Sequence, residues 1–138
     1  MMENKLVLIG AKERLRVLDS YREKVVARVD TGATTSSIHC LRHWFVKKDG
    51  VKHLCFLILN EKAHVLKTQH FKKRVVKSSN GHAQTRYSVK LDVLIGGMIF
   101  NTEFTLTDRS HMKHKILIGR SFLEEKFIVD VSKKYILK

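Results

Sequence analysis

Apolar residues recur at every second position, or in short β-branched blocks, along most of the chain. This pattern predicts strands at Lys5–Ile9, Leu15–Leu18, Val25–Val29, Ser37–Cys40, Leu54–Leu59, Lys73–Lys77, Thr85–Leu94, Met98–Leu106, Ile116–Ile118 and Phe127–Val131. Turn signals separate several of these runs: Asp49-Gly50, Asn80-Gly81 and Gly96-Gly97. Asn80-Gly81, between Lys73–Lys77 and the run from Thr85, is a strong hairpin signal. The good helical candidate is Ser121–Lys126, directly after Gly119-Arg120. No repeat, Gly/Ser linker or low-complexity tract interrupts the pattern, so residues 1–138 read as a single, mainly β domain with one short C-terminal helix.

Composition narrows the function classes. A chain of 138 residues that is 43% hydrophobic can bury one core and is too apolar to be disordered. Its apolar runs, such as Leu6–Ile9 and Leu57–Leu59, are too short for a membrane span. The opening Met1-Met2-Glu3-Asn4-Lys5 leads to no small-residue cleavage site, so no signal peptide is expected. Two cysteines, Cys40 and Cys55, form no disulfide framework and fit a reduced, cytoplasmic compartment as buried small hydrophobes. The outlier is charge. With 27 basic against 13 acidic side chains the chain carries +14, a field that recruits anions. The segment Lys62–Lys90 holds no acidic residue and brackets the Asn80-Gly81 turn.

The chemistry concentrates in Ala27-Arg28-Val29-Asp30-Thr31-Gly32-Ala33-Thr34-Thr35-Ser36-Ser37. An apolar strand delivers a carboxylate to a tight loop, where Gly32 lets the backbone fold beneath it and its amide can bond the carboxylate. Thr31 offers a hydroxyl that can lock the loop from below. Late in the chain, Ile116-Leu117-Ile118-Gly119-Arg120 is an apolar strand ended by glycine and followed by the helix and a last strand.

With both elements present, the chain resembles the retropepsin-like aspartic proteases, which combine Asp-Thr-Gly-Ala with a late apolar-apolar-Gly-Arg, a helix and a final strand. It is most similar to the bacterial branch labelled "ATP-dependent zinc protease". The matching segments are Ala27–Ser37, Val76-Lys77-Ser78-Ser79-Asn80-Gly81-His82, Leu106-Thr107-Asp108-Arg109-Ser110, and Leu117-Ile118-Gly119-Arg120 through Val129-Asp130-Val131. The resemblance implies a retropepsin-like acid-protease barrel, with Gly119 where one strand threads past the catalytic loop. It implies Asp30, Thr31 and Gly32 as the catalytic loop. Substrate would lie among Arg28, Ala33, Thr34 and Arg120, beneath a flap formed by Ser79, Asn80, Gly81 and His82. The family's association with ligases that add glutamate tails implies an acidic peptide or protein substrate, in keeping with the charge. In retroviral members a second aspartate follows Asp-Thr-Gly-Ala and pairs with the late arginine. Thr34 stands there in this chain, which leaves Arg120 for another carboxylate or for an anionic substrate group.

Zinc finds no support in the residues. The eight histidines include His39, His43 and His111-x-x-His114, yet there is no His-Glu-x-x-His and no Cys-x-x-Cys, so no metal or other cofactor is expected. Trp44 and Phe45 read as core, Asp108-Arg109 as a turn with a local ion pair in preference to a direct substrate contact, and Asp130 as structural. Among six aspartates Asp30 alone stands in an Asp-Thr-Gly loop, whereas aspartic proteolysis needs two carboxylates sharing one proton. The expectation is therefore an aspartic endopeptidase working as a homodimer about a two-fold axis, its hairpin closing over substrate. The rival reading is a binding module on the same barrel that holds acidic protein or nucleic acid without turnover. With aromatics at 8% and no aromatic-basic motif, nucleic acid is the weaker partner.

Overall fold

The structure, a computed structural model, describes residues 5–19, 23–60, 64–78 and 80–138. Its elements are β1 (Val7–Ile9), β2 (Lys12–Val17), β3 (Val25–Val29), β4 (Ser36–Lys48), β5 (Val51–Ile58), β6 (Leu66–Thr68), β7 (Lys72–Lys77), β8 (Ala83–Ile95), β9 (Met98–Thr107), β10 (Ile116–Ile118), α1 (Arg120–Leu123) and β11 (Phe127–Val129). Six strands close a barrel in the order β10-β3-β2-β8-β9-β4, because β10 pairs with β4 as well as with β3. The β3–β10 and β4–β9 pairs are parallel and the other pairs of the ring antiparallel. The expected mainly β, retropepsin-like barrel with one short helix is the observed fold.

Alternation decides which side chains enter the barrel. Leu15 and Val17 from β2, Ala27 and Val29 from β3, Ile38 from β4, Phe104 from β9, and Ile116 and Ile118 from β10 meet in one core, sealed by Phe122 of α1. Each large aliphatic or aromatic side chain so buried contributes roughly 1.5–3 kcal/mol. The tight turns fall where the sequence places them: Asp49-Gly50 joins β4 to β5, Asn80-Gly81 lies between β7 and β8, and Gly96-Gly97 joins β8 to β9. Off the ring, β5 and β6 extend from β4, β7 flanks β8, and β1 and β11 form a separate parallel pair with Leu8 opposite Ile128.

Three differences from the sequence expectation have physical causes. Strand β4 runs on to Lys48, because after the irregularity at Cys40/Arg42 it leaves the core and pairs with β5 alone. Outside the core the alternation lapses, and Leu41 is 61% exposed. Trp44 and Phe45 lie on this outer arm and are half-buried; Phe45 packs on Phe71 and Tyr87 and only borders the core. Strand β6 is too short to show a period. The helix is shorter than Ser121–Lys126 and starts one residue earlier, since Glu124 already leaves helical geometry.

Glu13 is the least expected core residue. It is fully buried, and its carboxylate accepts backbone N–H bonds from Gly10 (2.8 Å), Ile136 (3.3 Å) and Leu137 (3.1 Å), fastening the C-terminal segment to β2. Three donors compensate a carboxylate that burial would otherwise penalise heavily.

Candidate active site

Strand β3 ends at Val29 and hands Asp30 to the loop that leads into β4. The loop is bonded at each step. The Asp30 amide donates to the Ile118 carbonyl at 2.8 Å, the Ala33 amide to the Asp30 carbonyl at 3.2 Å, and the Gly32 amide to Asp30 Oδ1 at 2.9 Å. The last bond is the one the Asp-Thr-Gly order predicts: it fixes the carboxylate while leaving Oδ2 free of any protein hydrogen bond among the described residues. Thr31 is exposed, and its hydroxyl makes no hydrogen bond to the described residues, so the lock expected from it is not formed within one copy.

The late motif grips the same loop. The Arg120 amide donates to the Ala33 carbonyl (2.8 Å) and the Ser121 amide to the Thr34 carbonyl (3.0 Å). Gly119 donates to Ser36 Oγ at 3.0 Å. A Cβ on Gly119 would sit 2.6 Å from both the carbonyl carbon and oxygen of Thr35, so only glycine threads this gap. Arg120, itself exposed, reaches no other carboxylate among the described residues. Its guanidinium donates to the Thr31 carbonyl (2.9 Å) and to Thr34 Oγ1 (3.0 Å), so the threonine that replaces the retroviral aspartate remains its partner.

Charge around Asp30 is one-sided. Across the sheet, Lys12 pairs with Arg28, Arg28 with Leu117, Leu117 with Ser37, Ser37 with Thr105, and Thr105 with Ser88. Residues in such a row share a face; Asp30 follows Arg28 by two residues, just past the end of β3, and its charge acts on Arg109. Over the Ser37–Thr105 pair lie two further guanidiniums. Arg109, 8% exposed, donates to the His114 carbonyl (2.9 Å) and Ser37 Oγ (3.3 Å). Arg86 donates to Gln84 Oε1 (2.9 Å) and Thr105 Oγ1 (3.4 Å). Burial pulls the Arg109 guanidinium below its usual range, the Arg86 charge adds to this, Asp30 opposes it, and Arg28 adds again. Lys113 is the main cause of a lowered Lys12 ammonium, so the same cationic rim reaches β2.

The turn after β9 is built differently from its expectation. Asp108 and Arg109 form no ion pair: Asp108 accepts from the Ser110 amide (2.8 Å) and hydroxyl, while Arg109 turns inward. The Arg109 amide donates to His39 Nδ1 at 2.8 Å. Asp108 lies 3.8 Å from that nitrogen, yet burial dominates and lowers the imidazole pKa; a ring nitrogen that accepts an N–H bond is unprotonated. Burial likewise pushes the Cys40 thiol up to about 11, consistent with an inert cysteine. Asp130 accepts from the Ser132 amide and hydroxyl, a local turn. A zinc centre does not fit: no three His, Cys, Asp or Glu side chains converge among the described residues, and His39 Nδ1 is engaged by a backbone amide.

The flap assignment rests on the β7–β8 hairpin, paired from Lys72↔Ser88 to Lys77↔Ala83. Ser79 lies outside the described residues. Asn80, Gly81 and His82 are exposed, and their hydrogen bonds stay within the turn: Ser78 amide to His82 carbonyl (2.9 Å), Gly81 amide to Ser78 carbonyl (3.0 Å), His82 amide to Asn80 Oδ1 (3.3 Å). Asp30, Thr31, Gly32, Ala33, Thr34 and Arg120 thus form one bonded unit, and Arg28 stands two residues before Asp30 on β3. Sequence reasoning missed Arg86 and Lys12, which strand register brings here, and set Arg109 aside as one half of a local ion pair.

Comparison with known proteins bears on family and fold. The model of the RimB-like family, described as the retropepsin-like aspartic endopeptidase RimB, matches residues 8–138. A curated protein of Shewanella pealeana named probable alpha-L-glutamate ligase is 33% identical over 99% of this chain and 31% of its own length. One of the same name from Desulfotalea psychrophila is 28% identical over 89% of this chain and 28% of its own. The chain therefore spans less than a third of the curated relatives it matches. A crystal structure of a Legionella pneumophila protein of unknown function superposes with a TM-score of 0.69, covering 96% of this chain and 98% of that one at 20% identity, which shows a shared fold.

Proposed function

Because the chain belongs to the RimB-like family of retropepsin-like aspartic endopeptidases, we propose that it hydrolyses peptide bonds in acidic, glutamate-rich tails as a homodimer with one Asp30 from each copy. The observation that carries this reading is the Asp30 loop, whose carboxylate is fixed through one oxygen and which the Gly119-Arg120 segment clamps from behind. Across a two-fold axis the two Asp30 carboxylates would lie about 3 Å apart and share one proton. The ionised partner takes a proton from water, the water oxygen attacks the peptide carbonyl, and the protonated partner assists the departure of the amide nitrogen. The two titrations belong to the pair.

Two observations support a second copy. The Thr31 hydroxyl, exposed at the loop, faces outward without a partner among the described residues. The β1–β11 sheet carries an exposed apolar pair, Leu8 at 44% and Ile128 at 53% exposure in one register pair, and Leu6 and Val131 just outside the two strands are exposed as well. Supporting the substrate class are the cationic rim around Asp30 and the ligase names of longer proteins that contain a similar segment. The Asn80-Gly81 hairpin would serve as the lid.

The test compares an oligo-glutamate with a neutral peptide of equal length, using Asp30→Asn as the blank. Turnover of the acidic peptide that vanishes in Asp30→Asn, with KM rising steeply with salt, is the expected result. Binding without turnover by the wild-type dimer would leave only a binding module.

A further inference from the structure

On the sheet face beside Asp30, arginines are treated in two ways. Arg74 on β7, directly opposite Arg86, is held in a fork by Glu103 at 2.7 and 2.8 Å, and the carboxylate raises its pKa. Here the fold supplies its own anion. Arg86 and Arg109 receive only neutral acceptors: an amide oxygen, two hydroxyls and a backbone carbonyl. Arg109 is more than nine-tenths buried, and its Nη2 group has no hydrogen-bond partner among the described residues. A buried cation without a counter-charge costs several kcal/mol, and like charges nearby add to that cost. The carboxylate acting on it is Asp30, which an aspartic mechanism needs for its own proton.

The polar floor explains why the two side chains stop here. Ser37 and Thr105 are opposed on β4 and β9, are almost fully buried, and tie the guanidiniums down by one hydroxyl each, while Thr105 Oγ1 is itself fixed on the Ser36 carbonyl at 3.2 Å. His39, two residues along β4 from Ser37, fixes the Arg109 backbone by accepting its amide at Nδ1. The result is a pair of immobilised planar donors with spare N–H groups, the geometry that recognises a carboxylate in bidentate fashion.

We propose that Arg109 and Arg86, seated on the Ser37–Thr105 pair beside Asp30, form a carboxylate subsite that receives the side chain of a glutamyl residue next to the bond to be cut. The proposal takes its substrate from the peptidase reading, and it assigns the selection of acidic tails to two side chains rather than to the net charge. Arg28, exposed on the same face, would steer the tail toward the pair.

Binding measured on protein carrying Asp30→Asn, which cannot turn over, keeps the subsite separate from catalysis. Fluorescence anisotropy with labelled hexa-glutamate and hexa-glutamine at one fixed salt gives the selectivity. Adding Arg86→Gln should lower affinity for hexa-glutamate by about tenfold, the loss expected for one charge-assisted pair. Arg109→Lys, which keeps the charge but not the fork, should also weaken hexa-glutamate, with melting curves checking that it folds. Lys48→Gln removes the same charge at the far end of β4 and should change affinity far less. Equal losses from Arg86→Gln and Lys48→Gln would overturn the subsite in favour of a diffuse field. A single-stranded oligonucleotide that outcompetes hexa-glutamate and depends on Arg86 would overturn it in favour of phosphate. Failure of the wild type to cleave any peptide would strike the peptidase reading while leaving the binding result to stand.

Discussion

The Asp30 loop and the Asn80-Gly81 hairpin are both turns between strands, and they are built on opposite plans. In the first, backbone amides and an arginine from the far end of the chain converge on five consecutive residues, Asp30–Thr34, and a glycine held by Ser36 Oγ passes so close that no side chain fits. In the second, Ser78, Asn80 and His82 bond one another and face solvent, and nothing lies within 4 Å of where a Cβ on Gly81 would be. The proposed shared centre, in which Asp30 meets its twin to within a fraction of an ångström, would need the first plan. The proposed lid, which would open for a substrate and close over it, would need the second.

One substitution made in each region should break or sharpen this contrast. Gly119→Ala forces backbone against backbone at 2.6 Å and should destabilise by about 3 kcal/mol or prevent folding altogether. Gly81→Ala meets no neighbour, so its cost is confined to the positive φ of +86° and should be about 1 kcal/mol. Thermal unfolding of the two variants decides. Equal costs would mean that the late strand does not clamp the loop as described.

A smaller effect separates the regions by pH. His39 accepts the Arg109 amide from beneath the site, and burial holds its imidazole pKa below the ordinary value. The unfolded chain thus binds this proton more readily, and stability should fall as pH drops below about 6.5. His39→Asn offers an acceptor oxygen but no titrating ring, so its melting temperature should vary less between pH 7.5 and 5. A His39 variant with the wild-type slope would contradict the neutral-imidazole geometry.

The same contrast explains what the sequence could reveal. The Asp30-Thr31-Gly32 loop and the Gly119-Arg120 thread are contiguous in the chain, and their residue types state their geometry: a carboxylate, a donor two residues on, a glycine at a crossing. Asn80-Gly81 likewise announces its hairpin through local backbone preference. Arg109 and Arg86 lie far from Asp30 in sequence and come beside it only because β3, β10, β4, β9 and β8 adopt one register, which local pattern does not specify. Arg109 was moreover disguised by Asp108, whose natural reading is a neighbouring ion pair. Glu13 hid between Lys12 and Arg14 as one more surface charge, although Glu13, Leu15 and Val17 alternate and so mark one inward face. Thr34 shows the reverse case: its identity suggested a missing partner for Arg120, and the hydroxyl supplies it.

The claim on which the account turns is that one catalytic centre requires two copies of Asp30. It is tested most directly by titrating a fixed amount of wild-type protein with Asp30→Asn protein and following hydrolysis of a glutamate-rich peptide. Subunit exchange would place wild-type chains in mixed dimers with a single functional aspartate, so activity per wild-type chain should fall toward zero as the variant reaches excess. Activity that stays constant at every ratio, with exchange verified by a labelled subunit, would show that each chain carries a complete centre of its own and would contradict the shared-carboxylate mechanism.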